Sequence, residues 1–272
     1  MVKKLFKYEF SAMLKKLLPL FVIVLGTAFL NRIIQFFERD STTYNILFVS
    51  SVVLLVISCV VLLVGTLWIS VSRYYKNMFT NEGYLTLSLP VTADQHITTK
   101  CVTALACGIL SFLVCLFGGM IATSNGIFSE IVKAGWWLLR KFTKTFGAGR
   151  TISYSLEVIL LLLLSAVKTI LVLYACVSLG QLGKRNRNRP AKAVGFFFIY
   201  YFAVQVLATA GLIVIAVLDL SGKLEALAEW INLHPHTAAN LFLWIGIVWS
   251  AGFCILYYWI SRHVLTKKLN LE

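Results

Sequence analysis

Four polar residues stand inside otherwise apolar stretches of this 272-residue chain: Arg32, Glu157, Lys168 and Gln205. If those stretches cross a bilayer, a charge near mid-depth costs about 2.5–3.5 kcal/mol on insertion scales. That cost makes Lys168, Glu157 and Arg32 candidates for lining a substrate pathway, and Gln205, uncharged but polar at depth, is counted with them. Glu157 and Lys168 are eleven residues apart, which returns to nearly the same helix face about 16 Å along the axis. They are too distant to pair within one helix, but they could line one path or pair with another helix. The plainer alternative is that Lys168 and Arg32 snorkel to the nearest interface. In that case Glu157 sits near the outer surface and Gln205 bonds a neighbouring helix.

Other chemistry is absent from the sequence. No G-x-x-x-x-G-K-[ST] phosphate loop occurs, and Gly180-Gln-Leu-Gly183-Lys184-Arg185 has the wrong spacing for one. G-x-S-x-G and H-E-x-x-H are missing too. His234-Pro235-His236 lacks a carboxylate or cysteine at ligand spacing, so it reads as an ordinary loop. Cysteines 59, 101, 107, 115, 176 and 254 all fall in or beside apolar runs, without paired or metal-binding spacing. The chain is therefore expected to be neither an enzyme nor the holder of a metal or cofactor.

Composition sets the class. Hydrophobic residues make up 59% and charged residues 13%, against about 45–50% and about 25% in soluble domains. Mean hydropathy is +0.84. Residues 41–72 and 101–129 carry no formal charge, and about 20 apolar residues suffice for a membrane-spanning helix. Six spans are expected, near 17–37, 46–71, 101–123, 152–179, 194–218 and 241–260. No cleavable leader is expected at the start. The fold class is all-α, a single polytopic membrane domain over 1–272. An N-terminal interfacial helix over 1–16 is added, with Leu5, Phe6, Phe10, Met13, Leu14 and Leu17 on one side and five lysines on the other.

Net charge is +14, yet the Lys and Arg flank apolar runs, so nucleic acid is not an expected partner. With the N-terminus inside, the inner segments carry 16 basic residues and the outer ones seven. That bias puts both termini and residues 73–100 in the cytoplasm. Residues 124–151 run against the bias, with five basic residues on the outer side. Ile127, Ile131, Leu138 and Phe142 mark an apolar face there, Trp136 and Trp137 lie beside it, and Lys133, Arg140, Lys141 and Lys144 mark a basic one. A second interfacial helix is expected in this outer segment; the alternatives are that it re-enters the membrane or that the spans number five or seven.

Residues 73–100 form a polar insert between two charge-free runs. Glu82-Gly83-Tyr84-Leu85, then Leu89-Pro90-Val91, then Lys100 resemble the EGYL…LPV…K signature of ABC-2-type transporter permeases. Lys3 to Phe21 resembles the start of that family. Tyr174-Ala-Cys-Val-Ser-Leu-Gly-Gln-Leu182, before a basic loop, resembles its YAAISLGQL segment. The resemblance covers the N-terminal two-thirds in patches.

This resemblance implies a permease in a bacterial plasma membrane. It would pair with a second copy or a sister permease and with two ATPase subunits that bind ATP and Mg. The insert would hold a coupling helix, with Tyr74, Phe79, Glu82, Gly83, Tyr84, Leu85, Leu89 and Pro90 at the ATPase junction. The expected cargo is hydrophobic or amphipathic, by choice a peptide, in the manner of exporters of phenol-soluble modulins or antimicrobial peptides. A lipid or antibiotic cargo and a standalone immunity or scaffold protein remain alternatives. A secondary transporter fits poorly, since Glu157 is the sole acidic residue within an expected span and no repeat is visible.

Overall fold

The structure is a computed structural model. It describes residues 2–37, 42–80, 83, 91–123, 125–182 and 189–267. No strand occurs among them. The helices are α1 (Val2–Phe36), α2 (Thr42–Phe79), α3 (Ala93–Ala122), α4 (Asn125–Phe146), α5 (Ala148–Gly180), α6 (Arg189–Leu220), α7 (Lys223–Leu233) and α8 (Pro235–Lys267). Six of them, all but α4 and α7, are long and apolar enough to cross a membrane. Each contains one of the expected apolar runs. Their outward faces carry Leu, Val, Ile and Phe that are more than half exposed, such as Phe202 and Leu207 on α6. Exposed apolar surface on that scale suits lipid and not water.

Two sequence expectations are corrected here. The N-terminal segment is not a separate interfacial helix ending at residue 16. It is the start of α1, which runs unbroken through Pro19. The doublet Lys15-Lys16 is a boundary of charge and not of conformation. The amphipathic pattern itself is real, since all five lysines are exposed while Met13 and Leu17 are buried. In addition, residues 223–233 form α7, a helix not anticipated between the fifth and sixth expected spans. Gly222, in the left-handed region at φ 68°, caps it.

The chain divides into two compact units, Met1–Lys141 and Phe142–Glu272. In the first, α1, α2 and α3 pack on one another. The contact stripe of α1 is Glu9, Met13, Leu17, Val24, Thr27, Ala28 and Asn31. That of α2 runs Ser51, Ser58, Leu62, Thr66, Ser70, Tyr74 and Met78. These steps of three, four and seven keep one face turned inward. The stripes hold small and polar residues where a soluble bundle would use leucine. Lipid supplies no hydrophobic drive between helices, so close approach and hydrogen bonds must do so. Thr27 Oγ1 lies 3.1 Å from Ser58 Oγ. Asn31 Nδ2 donates to Ser51 Oγ at 3.1 Å, and Thr66 and Ser111 share a 2.8 Å hydrogen bond. Gly118 lets α3 close on α1, since a Cβ there would stand 3.2 Å from Val24 Cγ1.

In the second unit α5 packs along α8 and against α6. Residues 170–172 and 174–178 of α5 are all buried, so the YACVS part of the segment noted above is core. Gly180 ends α5 directly against the start of α6. A Cβ there would lie 2.8 Å from Ala193 N, a backbone atom that cannot step aside. Gly180→Val therefore forces the two helices apart. The expected cost is about 1–3 kcal/mol, in the range of overpacked cores. It should appear as a lower midpoint in thermal unfolding in detergent, followed by thiol labelling of buried Cys176.

Candidate functional site

Helices α2 and α3 flank the segment 80–92, and their facing ends carry a cluster of charged and polar side chains. At its centre is Glu9, reaching from α1. Arg73 donates to Glu9 Oε2 from Nε at 3.2 Å and from Nη2 at 2.6 Å. Asn77 Nδ2 and Lys100 Nζ donate to Oε1 at 3.0 and 2.6 Å. Both carboxylate oxygens thus accept two hydrogen bonds each. The Glu9 and Lys100 side chains are 9% and 5% exposed. Three helices are joined by one buried anion.

Local sequence explains the placement. Arg73 and Asn77 are four apart in the last turns of α2, so they share a face. Thr92 caps α3 through a reciprocal box with Gln95, at 3.4 Å and 3.3 Å. That cap fixes where the helix begins and hence where Lys100 stands, two turns later. Glu9 precedes Met13 and Leu17 by four and eight residues, on the stripe that faces α2 and α3. It lies about 12 Å before Leu17, where the long apolar run begins. Tyr74, Met78 and Phe79 near the end of α2 and His96 and Ile97 near the start of α3 are all buried.

The electrostatics are unequal, with two cations facing one carboxylate. Burial pushes the Glu9 carboxyl up, but the Lys100 ammonium and the Arg73 guanidinium outweigh it and hold the group below its ordinary value. Glu9 is therefore an anion at neutral pH. Removing one partner of such a set leaves charge buried and unmatched, which costs far more than the intact set contributes.

The expected coupling residues fall in three groups. Tyr74 and Phe79 are buried and meet edge to face, with ring centroids 5.7 Å apart. They brace the end of α2 from inside and are not exposed for direct contact with a partner. Gly83 N donates to Thr80 O at 2.7 Å. A Cβ on Gly83 would meet Met78 O at 2.7 Å, so only glycine fits that close against the end of α2. Glu82, Tyr84, Leu85, Leu89 and Pro90 lie outside the described residues.

The expected pathway residues do not form one cluster within either unit. Arg32 lies with its Cζ 6.0 Å from the Phe36 ring centroid. Glu157 is half-buried and accepts from Ser153 Oγ at 3.4 Å, an intrahelical bond. Lys168 is half-buried, one helix face shared with Glu157. Gln205 is exposed on α6, with no inter-helix hydrogen bond among the described residues. The bond to a neighbouring helix expected from its depth is not formed within this unit. No group of three or more metal-ligand side chains occurs among the described residues.

Glu9 and Asn77 were not singled out from sequence, and Lys100 was noted only as closing the insert. One signal pointed to Glu9. It is the sole acidic residue in the first 37 and sits in helical register with Met13 and Leu17, on the apolar side and not the lysine side. Comparison with protein-family models, curated proteins and solved structures finds no match to this chain.

Proposed function

We propose that this chain is the transmembrane permease subunit of an ATP-driven exporter of the ABC-2 type. Its cargo is a hydrophobic or amphipathic molecule, by preference a peptide. The observation that carries the reading is the Glu9 cluster. A segment that receives force from a soluble partner must be fastened to the helices it moves. Here both ends of segment 80–92 are tied, through Arg73, Asn77 and Lys100, to a third helix. Motion of the segment then reaches α1, α2 and α3 as one body, instead of bending α2 and α3 separately.

In this mechanism two ATPase subunits dock from the cytoplasm, with ATP and Mg bound entirely by them. A second copy or a sister permease completes the path. Closure of the ATPase pair pushes on the segment, and the charge cluster passes the push to α1. Lys168, Glu157, Arg32 and Gln205 serve as the polar lining met by the cargo. The EGYL…LPV pattern supports this assignment, as does the lack of any phosphate-binding loop in the chain itself.

The test is nucleotide turnover. The purified chain should hydrolyse no ATP, and should gain cargo-responsive hydrolysis in complex with an ATPase encoded beside its gene. Turnover by the clean isolated chain, or failure to copurify with that ATPase, overturns the reading. Orientation has its own test. Single cysteines at Thr80 and Thr143, in a background without native cysteines, should react with an impermeant maleimide from opposite membrane faces. Labelling from one face contradicts a cytoplasmic segment 80–92.

A further inference from the structure

α6 is packed at its start and bare beyond it. Ala193 closes on Gly180 of α5, and the Tyr200 ring lies 5.9 Å from that of Tyr257 on α8, edge to face. From Tyr201 to Asp219 every residue is exposed. Most of them are aliphatic or aromatic and suit lipid. Gln205 does not. It stands 13 residues after Lys192 and 14 before Asp219, the nearest charges on the helix. Those are rises of about 20 and 21 Å, so Gln205 sits near the middle of a hydrocarbon layer about 30 Å thick. Its side chain is too short to reach either interface from that depth. Thr209 Oγ1 donates to the backbone O of Gln205 at 3.0 Å, but the carboxamide itself makes no hydrogen bond among the described residues. An amide left unpaired in hydrocarbon is costly.

The chemistry of the group says what pairs with it. A carboxamide carries a donor and an acceptor together. A second carboxamide, related to the first by a two-fold axis, satisfies both at once. The same residue on a second copy of the chain supplies it. The helix face around Gln205 fits that arrangement. Ala208, Thr209, Leu212 and Ala216 follow it by three, four, seven and eleven residues, within an arc of about 100°. Three of the four are small, which lets two backbones come close enough for side-chain hydrogen bonds between helices. Leu207 and Val214 occupy the opposite side and are 67% and 58% exposed.

We propose that the Gln205–Ala208–Thr209–Leu212–Ala216 face of α6 is the seam along which two copies of this chain associate in the membrane, closed by a reciprocal pair of Gln205 carboxamides. The export reading calls for a second copy, and this inference rests on it for the place of that copy beside the cargo path. Association is measured without ATPase or cargo, so the two can fail apart.

The test uses the full chain in phosphatidylcholine vesicles, in a background without native cysteines. Leu212→Cys lies on the Gln205 face and leaves Gln205 in place, whereas Val214→Cys lies on the other side. Oxidation with copper phenanthroline should give a covalent dimer with Leu212→Cys and little with Val214→Cys. Association is then followed by energy transfer between copies carrying donor or acceptor at Thr80→Cys, as lipid is added to dilute them. Gln205→Leu should weaken association on the order of tenfold. Gln205→Asn keeps a carboxamide and should retain most of it, which separates loss of the amide from loss of the fold. Equal association of the parent and Gln205→Leu overturns the proposal, as does equal crosslinking on the two faces. Absence of energy transfer between parental copies also overturns it, and leaves this face to lipid, to a sister permease or to other helices of its own chain.

Discussion

Glu9→Gln destabilises the first unit by about 3–5 kcal/mol, the scale of breaking a buried ion set from one side. The amide keeps the size of the carboxylate but removes its charge. Arg73 and Lys100 then lose the carboxylate they share across a largely buried site. Lys100→Met should cost less, because Arg73 and Asn77 still satisfy Glu9. Adding Lys100→Met to Glu9→Gln should restore part of the loss, since one of the two cations that shared the carboxylate is removed. Unfolding in detergent by denaturant, with this double-variant cycle, measures the coupling directly. Equal stability of the parent and Glu9→Gln would show that the cluster is not a fastening.

The same group fixes a pH dependence and its sign. Glu9 has a folded-state value below its ordinary 4.5 or so. The unfolded chain thus takes up the proton first as pH falls. The stability due to Glu9 is complete above about 4.5 and is lost as pH drops through the lower folded value. The parent chain and Glu9→Gln should therefore differ most near neutrality and converge in acid. A gap that widens below pH 4 would contradict the assignment of Glu9 as the buried anion.

The helices were legible in the sequence for a simple reason. A charge-free run such as 41–72 exceeds what a membrane span needs, and no soluble fold accommodates it as easily. The lysine face of α1 was legible too, because Lys3, Lys4, Lys7, Lys15 and Lys16 repeat in helical register. The Glu9 cluster was not. Its members are separated by 64, 68 and 91 residues, and pairing over such distances is decided by how three helices stack. Periodicity reports which face turns inward, not which residue of another helix it meets. The continuity of α1 was missed for the opposite reason. The lysine doublet Lys15-Lys16 marks the end of the charged stretch, while Met13, Leu17 and Val24 are buried on one stripe and the helix continues through it.

If the chain works as the proposed permease, Tyr84→Ala with Leu85→Ala should cost it its ATPase partner. A docking segment must bury apolar anchors and keep its polar groups paired. Between α2 and α3 the sequence offers Glu82, Tyr84, Leu85 and Leu89, a mixture of acidic, aromatic and aliphatic residues. The basic stretch 184–192 offers charge with almost no apolar anchor and suits lipid phosphates better. Tyr74 and Phe79 cannot substitute as anchors, since each is already buried against the other. On the proposed reading the contact comes from residues beyond the end of α2. Truncating an interface anchor of this kind typically costs about 2 kcal/mol or more, roughly 30-fold in affinity. The double variant should reach the membrane in normal amount, because neither position falls within an expected membrane span. It should then lose the ATPase on purification, or keep it with hydrolysis that no longer responds to cargo. Glu9→Gln should give the second phenotype alone, with the ATPase bound but its stroke no longer passed to α1. Two variants failing at different steps would separate docking from transmission. A double variant that retains the ATPase and transports at the parental rate would place the docking surface elsewhere in the chain.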